Sequence, residues 1–178
     1  MLRKVGSVLF LLGLMGFSLS PALADSSDEL KRANKLRCAG NHSEAIELCT
    51  RIIESEKDDQ RILRKAYMQR AFNYGRLERY DRAIADMDRV VEMKPDRSSS
   101  YSARARMYRQ AGELDRAIAD FSRSLDLRRN AGTLEDRGDC YAAKGDKKRA
   151  IADYGGAIEK AALKDSRKRL QEKIDALR

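Results

Sequence analysis

Apolar residues along this chain fall three or four positions apart, the spacing that gathers them on one face of an α-helix, and the whole pattern recurs. AIADMDRVV at Ala83, AIADFSRSL at Ala117 and AIADYGGAI at Ala150 are copies offset by 34 and then 33 residues, and AIELCTRII at Ala45 is a fourth, diverged copy. With the opening alanine as position 20, small residues recur at position 8 (Ala33, Ala71, Ala105, Gly138) and at position 20 (Ala45, Ala83, Ala117, Ala150). Bulky residues recur at position 11 (Leu36, Tyr74, Tyr108, Tyr141), at position 21 (Ile46, Ile84, Ile118, Ile151) and at position 24 (Cys49, Met87, Phe121, Tyr154). Small side chains let two helices cross closely and bulky ones fill the space beside the crossing, so each copy predicts a helix, a tight turn and a second helix. The turns are expected at Gly40-Asn41, Arg79-Tyr80, Gly112-Glu113 and Gly145-Asp146, three of them with a glycine suited to ending a helix. The expected helices run near 26–39, 43–57, 62–77, 80–93, 98–111, 114–128, 133–144 and 147–161, with Ser98, Ser99 and Ser100 as N-cap candidates. A ninth begins at Asp165. A period of this length points to a solenoid.

The copies resemble the tetratricopeptide repeat: an aromatic at position 4 (Tyr67, Tyr101), a small residue at 8, Tyr at 11, Ala at 20, an aromatic at 24 and Pro95 at 32. Glu29 and Leu134 depart from the aromatic, Arg129 and Ala162 from the proline, and the first copy lies 38 residues from the second. The resemblance covers about residues 26–164. It implies an all-α, right-handed α-solenoid of about four units near 26–59, 64–97, 98–130 and 131–164, within one domain spanning 25–178. A capping helix at 165–177 would close it, with Leu163, Leu170, Ile174 and Leu177 as a narrow apolar stripe and Arg167, Lys168, Arg169, Glu172 and Lys173 largely facing away.

Charge is periodic too. Position 7 is Arg32, Arg70, Arg104 and Arg137, and position 23 is Leu48, Asp86, Asp120 and Asp153. In an antiparallel hairpin, residues equally far from the turn face each other, so Arg70–Asp86, Arg104–Asp120 and Arg137–Asp153 are expected pairs. Arg32 has no such carboxylate.

Residues 1–24 are a different kind of segment, with positive charge in MLRK, an apolar run and a terminal Ala22-Leu23-Ala24. This is the pattern of a secretory signal peptide cut after Ala24, and it predicts a periplasmic or secreted protein. An uncleaved anchor is the rival, although the run is short against the ~20 residues that span a bilayer. Removing Arg3 and Lys4 lowers the net charge from +9 to +7, a balance suited to anionic partners, but acids and bases interleave along every helix as on a solvated surface, and that reading is preferred. The three cysteines, Cys38, Cys49 and Cys140, leave at least one thiol unpaired. A Cys38–Cys49 bridge would be strained, because the two positions lie about 7 Å out of register at 1.5 Å per residue.

Candidate chemistry is sparse. His42 is the single histidine, so no Ser/His/Asp or Cys/His set is convincing, and Cys38, His42 and Cys49 have no familiar zinc spacing. No phosphate-loop string occurs, and no cofactor or nucleic-acid partner is expected. What remains is binding. The resemblance implies a concave groove lined by the first helix of each unit, with Asn34, Arg37, Met68, Gln69, Phe72, Arg76, Arg106, Arg109, Glu135, Asp136 and Asp139 directed into it. Phe72 beside Met68 is the most ligand-like spot, with packing against the neighbouring unit as its other reading. An acidic part of a ligand would follow Arg76, Arg106 and Arg109, and a basic part Glu135, Asp136 and Asp139. Relatives that clamp a peptide's terminal carboxylate use a lysine, asparagine and arginine set of which only Asn34 is present, while Leu30, Gln69, Ser99 and Ala103 differ. The expectation is a non-enzymatic scaffold holding a protein or peptide segment. The alternative is an envelope component that meets an anionic polymer or membrane surface through its basic tail, Lys160 to Arg178.

Overall fold

The computed structural model describes residues 26–56 and 58–178; the segment read as a signal peptide lies outside them. The described residues form helices and turns without strands: α1 (Ser26–Cys38), α2 (His42–Ser55), α3 (Gln60–Arg76), α4 (Tyr80–Met93), α5 (Ser98–Gln110), α6 (Leu114–Leu127), α7 (Ala131–Ala143), α8 (Lys147–Lys160) and α9 (Lys164–Asp175). Each helix packs on its successor in an all-α solenoid of four hairpins and a closing helix, and α1 also touches α3 while α5 touches α7. First helices of adjoining hairpins thus form the inner row.

The small-residue code explains the crossings. Ala45, Ala83, Ala117 and Ala150 are fully buried, as are Ala33, Ala71 and Ala105. At Gly138 even a methyl group is excluded, since an added Cβ would lie 2.7 Å from the Tyr154 ring. Position 24 therefore sets the size allowed at position 8: Cys, Met and Phe accept an alanine opposite, and Tyr requires glycine.

The expected arginine pairs form, each as a two-pronged bond. Arg70 Nε and Nη2 donate to Asp86 at 2.8 and 2.7 Å, Arg104 to Asp120 at 2.7 and 2.9 Å, and Arg137 to Asp153 at 2.7 Å twice. The remaining prong reaches back one repeat, where Nη1 donates to Thr50 Oγ1 (3.0 Å), Asp88 (2.8 Å) and Ser122 Oγ (3.0 Å), respectively. All three acceptors occupy position 25. One guanidinium therefore ties its own hairpin shut and fastens it to the preceding one, and the bonded aspartate raises the pKa of each of these arginines. A second periodic cation also emerges. Arg82, Arg116 and Arg149, all at position 19, lie 5.8, 4.1 and 4.4 Å from the ring centres of Tyr74, Tyr108 and Tyr141, within cation–π range.

Several local expectations shift. The residue with positive φ in the second turn is Glu78 (57°), where the other turns have Gly40, Gly112 and Gly145, so the structurally equivalent residue is not Arg79. The N-cap of α5 is Arg97 and makes no side-chain capping bond, whereas Asp59, Asn130 and Asp146 do cap α3, α7 and α8. Ser98, Ser99 and Ser100 lie inside the first turn of α5. Helix α8 runs unbroken through Gly155 and Gly156. Leu163 is 69% exposed as the N-cap residue of α9, off the apolar stripe, while Leu170 and Ile174 are buried. Arg167, Lys168, Arg169 and Glu172 are exposed, as expected, and Lys173 is half-buried; Arg167 donates to Ala161 O at 2.9 Å, and Arg169 and Lys173 reach acids of α7.

Candidate functional site

Helix α3 lies between α1 and α5 and supplies the floor of a groove. Met68, Gln69, Phe72, Gly75 and Arg76 of α3 meet Asn34, Arg37 and Cys38 of α1, Gly40 of the first turn, His42 at the start of α2, and Met107 and Gln110 of α5 around a cleft of about 740 Å³. Gly75 admits this close approach, because a Cβ there would fall 2.9 Å from Met107 Sδ. A shallower cleft of about 360 Å³ continues along α1 and α3, lined by Ser27, Leu30, Lys31 and Lys65 together with Asn34, Met68 and Gln69. Phe72 serves both readings at once: half-buried, it packs against the central core cluster of Ala71, Met87, Met107 and Phe121, and it lines the cleft.

The polar groups here are arranged to donate. Arg37 Nη2 donates to Asn34 Oδ1 at 2.8 Å and lies 3.6 Å from Cys38 Sγ. Fully buried Asn73 donates through Nδ2 to Gln69 O at 2.8 Å, which leaves its Oδ1 2.9 Å from His42 Nδ1. That ring nitrogen must therefore carry the proton. Gln69 Nε2 donates to Leu30 O at 3.4 Å, while its buried Oε1 has no protein donor. Of the described residues lining the two clefts, none is acidic.

In the other half of the groove the charged side chains pair with one another. Arg106 and Arg109 lie 2.8 and 3.1 Å from Asp136, and Arg109 lies 3.4 Å from Asp139. From α9, Arg169 binds Glu135 at 2.7 Å, and Lys173 bridges Glu135 and Asp139 at 2.8 and 2.7 Å. Tyr154 Oη also donates to Asp139, at 2.8 Å. Burial opposes the charge on Lys173, but its two carboxylates outweigh it and raise its pKa. Burial raises the Tyr154 phenol as well, aided by its bond to Asp139.

The eleven residues picked from sequence thus separate into two sets. Asn34, Arg37, Met68, Gln69, Phe72 and Arg76 converge on the cleft, whereas Arg106, Arg109, Glu135, Asp136 and Asp139 bind one another or α9. The expected track of bases followed by acids is, in this half, an internal ion-pair network. Met107 carried no signal, since it enters the cleft only through the space that Gly75 leaves. Cys38 closes α1 and His42 opens α2, where its ring meets Asn73 of α3. Cys49 and Cys140 are buried free thiols, Cys38 is exposed, and burial raises Cys49 to about 12 and Cys140 to about 11.

Helix hairpins stack at alanine crossings with the inner row open as a groove, the arrangement of a tetratricopeptide-repeat solenoid, and residues 69–132 match the tetratricopeptide repeat family. No curated protein sequence matches the chain. Among solved structures it is similar to a MamA protein (TM-score 0.71, 17% identity, 85% of this chain and 80% of that one). It is also similar to MamA 41-end from Desulfovibrio magneticus RS-1 (TM-score 0.68, 16% identity, 83% and 78% covered). A third similar structure is the first TPR of Spaghetti (RPAP3) bound to the HSP90 peptide SRMEEVD (TM-score 0.59, 22% identity, 67% and 92% covered). At these identities the likeness is one of fold.

Proposed function

We propose that this protein is a non-enzymatic interaction scaffold, exported from the cytoplasm by its N-terminal segment, that holds a segment of a partner protein in the cleft between α1, α3 and α5. The observation that carries this reading is the pairing of half-buried Phe72 and Met68 with polar groups that lack carboxylate neighbours, in the one half of the inner row not consumed by internal bonds. A fold neighbour was solved with a peptide bound, which agrees with this use of the scaffold. The basic-tail alternative has less behind it, because Arg169 and Lys173 already serve α7.

The test is a photo-crosslinking amino acid placed at Met68 or at exposed Glu47 on the outer face of α2. Protein adducts in the native compartment are expected from the first and not the second. Equal labelling from both positions removes the cleft from consideration. Export is checked by N-terminal sequencing, with Asp25 expected first and Met1 contradicting cleavage.

A further inference from the structure

The cleft also specifies a chemical class of occupant. Along one face of α3, spaced three and four apart, stand Lys65, Met68, Phe72 and Arg76. The order is cation, apolar, apolar, cation. Helix α1 lies beside it with Leu30, Asn34 and Arg37 lining the same two clefts, while its Lys31 is paired with Asp28 at 2.7 Å. Lys65 and Arg76 are exposed, and neither has a carboxylate partner among the described residues. By contrast, acids hold Arg70, Arg104, Arg106, Arg109 and Arg137 elsewhere on the inner helices. In a chain with 28 acidic residues, an apolar strip bracketed by cations and free of acids is complementary to a ligand with the opposite charges at the same separation.

That separation follows from helix geometry. The eleven steps from Lys65 to Arg76 rise about 16 Å at 1.5 Å per residue; side chains on one face of an extended peptide recur every second residue, so a spacing of four residues, about 13 Å at ~3.3 Å each, leaves a gap that the flexible Lys65 and Arg76 side chains close. Resting on the scaffold reading above, we infer that the occupant is an internal, extended peptide segment with two carboxylate side chains four residues apart on one face and a bulky apolar side chain midway between them on that face. The apolar residue enters between Met68, Phe72 and Met107, and the carboxylates meet Lys65 at one end and Arg76 at the other. Asn34, Gln69 and Gln110 supply side-chain amides that pair with an extended backbone. Because the cations stand at opposite ends of the strip rather than converging on one point, a chain terminus is not needed.

Fluorescence anisotropy on the purified protein tests this with end-blocked, fluorescein-labelled peptides. Asp-Ser-Phe-Ser-Glu is the probe; Asn-Ser-Phe-Ser-Gln and Lys-Ser-Phe-Ser-Lys are its controls. The acidic probe is expected to bind best. Truncating the aromatic anchor in Phe72→Ala should weaken it about thirtyfold, and Arg76→Glu, at an exposed site that leaves folding intact, about tenfold at low salt. If a control peptide binds as tightly and Phe72→Ala abolishes it, the groove reading stands and the charge inference is overturned. Acidic-probe binding that ignores Phe72→Ala overturns both. So does no binding by any peptide, or a dimer of the protein itself that Phe72→Ala dissociates.

Discussion

Single side chains here act by matching a neighbour's size or charge. Gly138→Ala should be destabilising even though alanine is the better helix former by about 1 kcal/mol, because forcing a Cβ against the buried Tyr154 ring costs roughly 1–3 kcal/mol. Adding Tyr154→Met recreates the Ala71 and Met87 combination of the second repeat and is expected to recover the loss in chemical denaturation. Asp120 is 8% exposed, so Asp120→Ala removes two of the three bonds to the Arg104 guanidinium, leaving it only Asp88, and should lower stability by about 2 kcal/mol. The double change Arg104→Met with Asp120→Leu should recover much of it, while a single mutant within a few tenths of wild type would contradict the bracket. Arg106 and Arg109 belong with this structural group, and reversing them would set new acids against Asp136. The thiols sort by burial. With Cys49 and Cys140 raised to about 12 and 11, only Cys38 should react with iodoacetamide in native protein at pH 8, and all three after denaturation. Stability from the two protonated thiols is full below their ordinary value of 9.0 and is lost as pH climbs towards their folded values.

At the scale of helices and turns, the deviations among otherwise equivalent repeats are informative. Glu78 takes the left-handed backbone that glycine takes in the other three turns, a conformation costing an L-residue roughly 1–2 kcal/mol. In α8, a Cβ on Gly155 would meet nothing within 4 Å. Glu78→Gly and Gly155→Ala should therefore each raise the stability of the fold, by up to about 1 kcal/mol, read as a higher midpoint in urea. The alternation of helices, the alanine crossings and the arginine pairs were legible in the sequence because they depend on residues at set offsets within one hairpin. The position-25 acceptors were not, since Thr50, Asp88 and Ser122 share no chemistry beyond an oxygen and act across a repeat boundary. The ion pairs of Arg169 and Lys173 with α7 were hidden for a similar reason: they depend on which face α9 lays on α7 and α8.

Across the molecule, the first hairpin is held differently from the rest. Position 11 is Leu36 rather than tyrosine, Arg32 is exposed without an aspartate opposite, and the apolar contacts of the hairpin fall into two small clusters separate from the central one. Few ties of this kind lower the free energy of local opening. Amide hydrogen exchange should accordingly be fastest, among the buried helices, in α1 and α2; equal protection along the array would refute this. The same looseness suits the cleft, because α1 is one of its walls and can adjust to a ligand against the firmer α3 and α5.

The amino-acid sequence by itself determined the helical hairpins, their number, their crossings and the three guanidinium bonds, since each is dictated by contacts at fixed spacing along the chain. Only the tertiary structure decided which half of the inner row remains open. Whether a charged residue on that row is available to a partner depends on what the adjoining repeat and the closing helix bring opposite it, and it is α7 and α9, not the local pattern, that consume the acids and bases of one half and leave Phe72, Met68 and Arg76 facing an acid-free cleft.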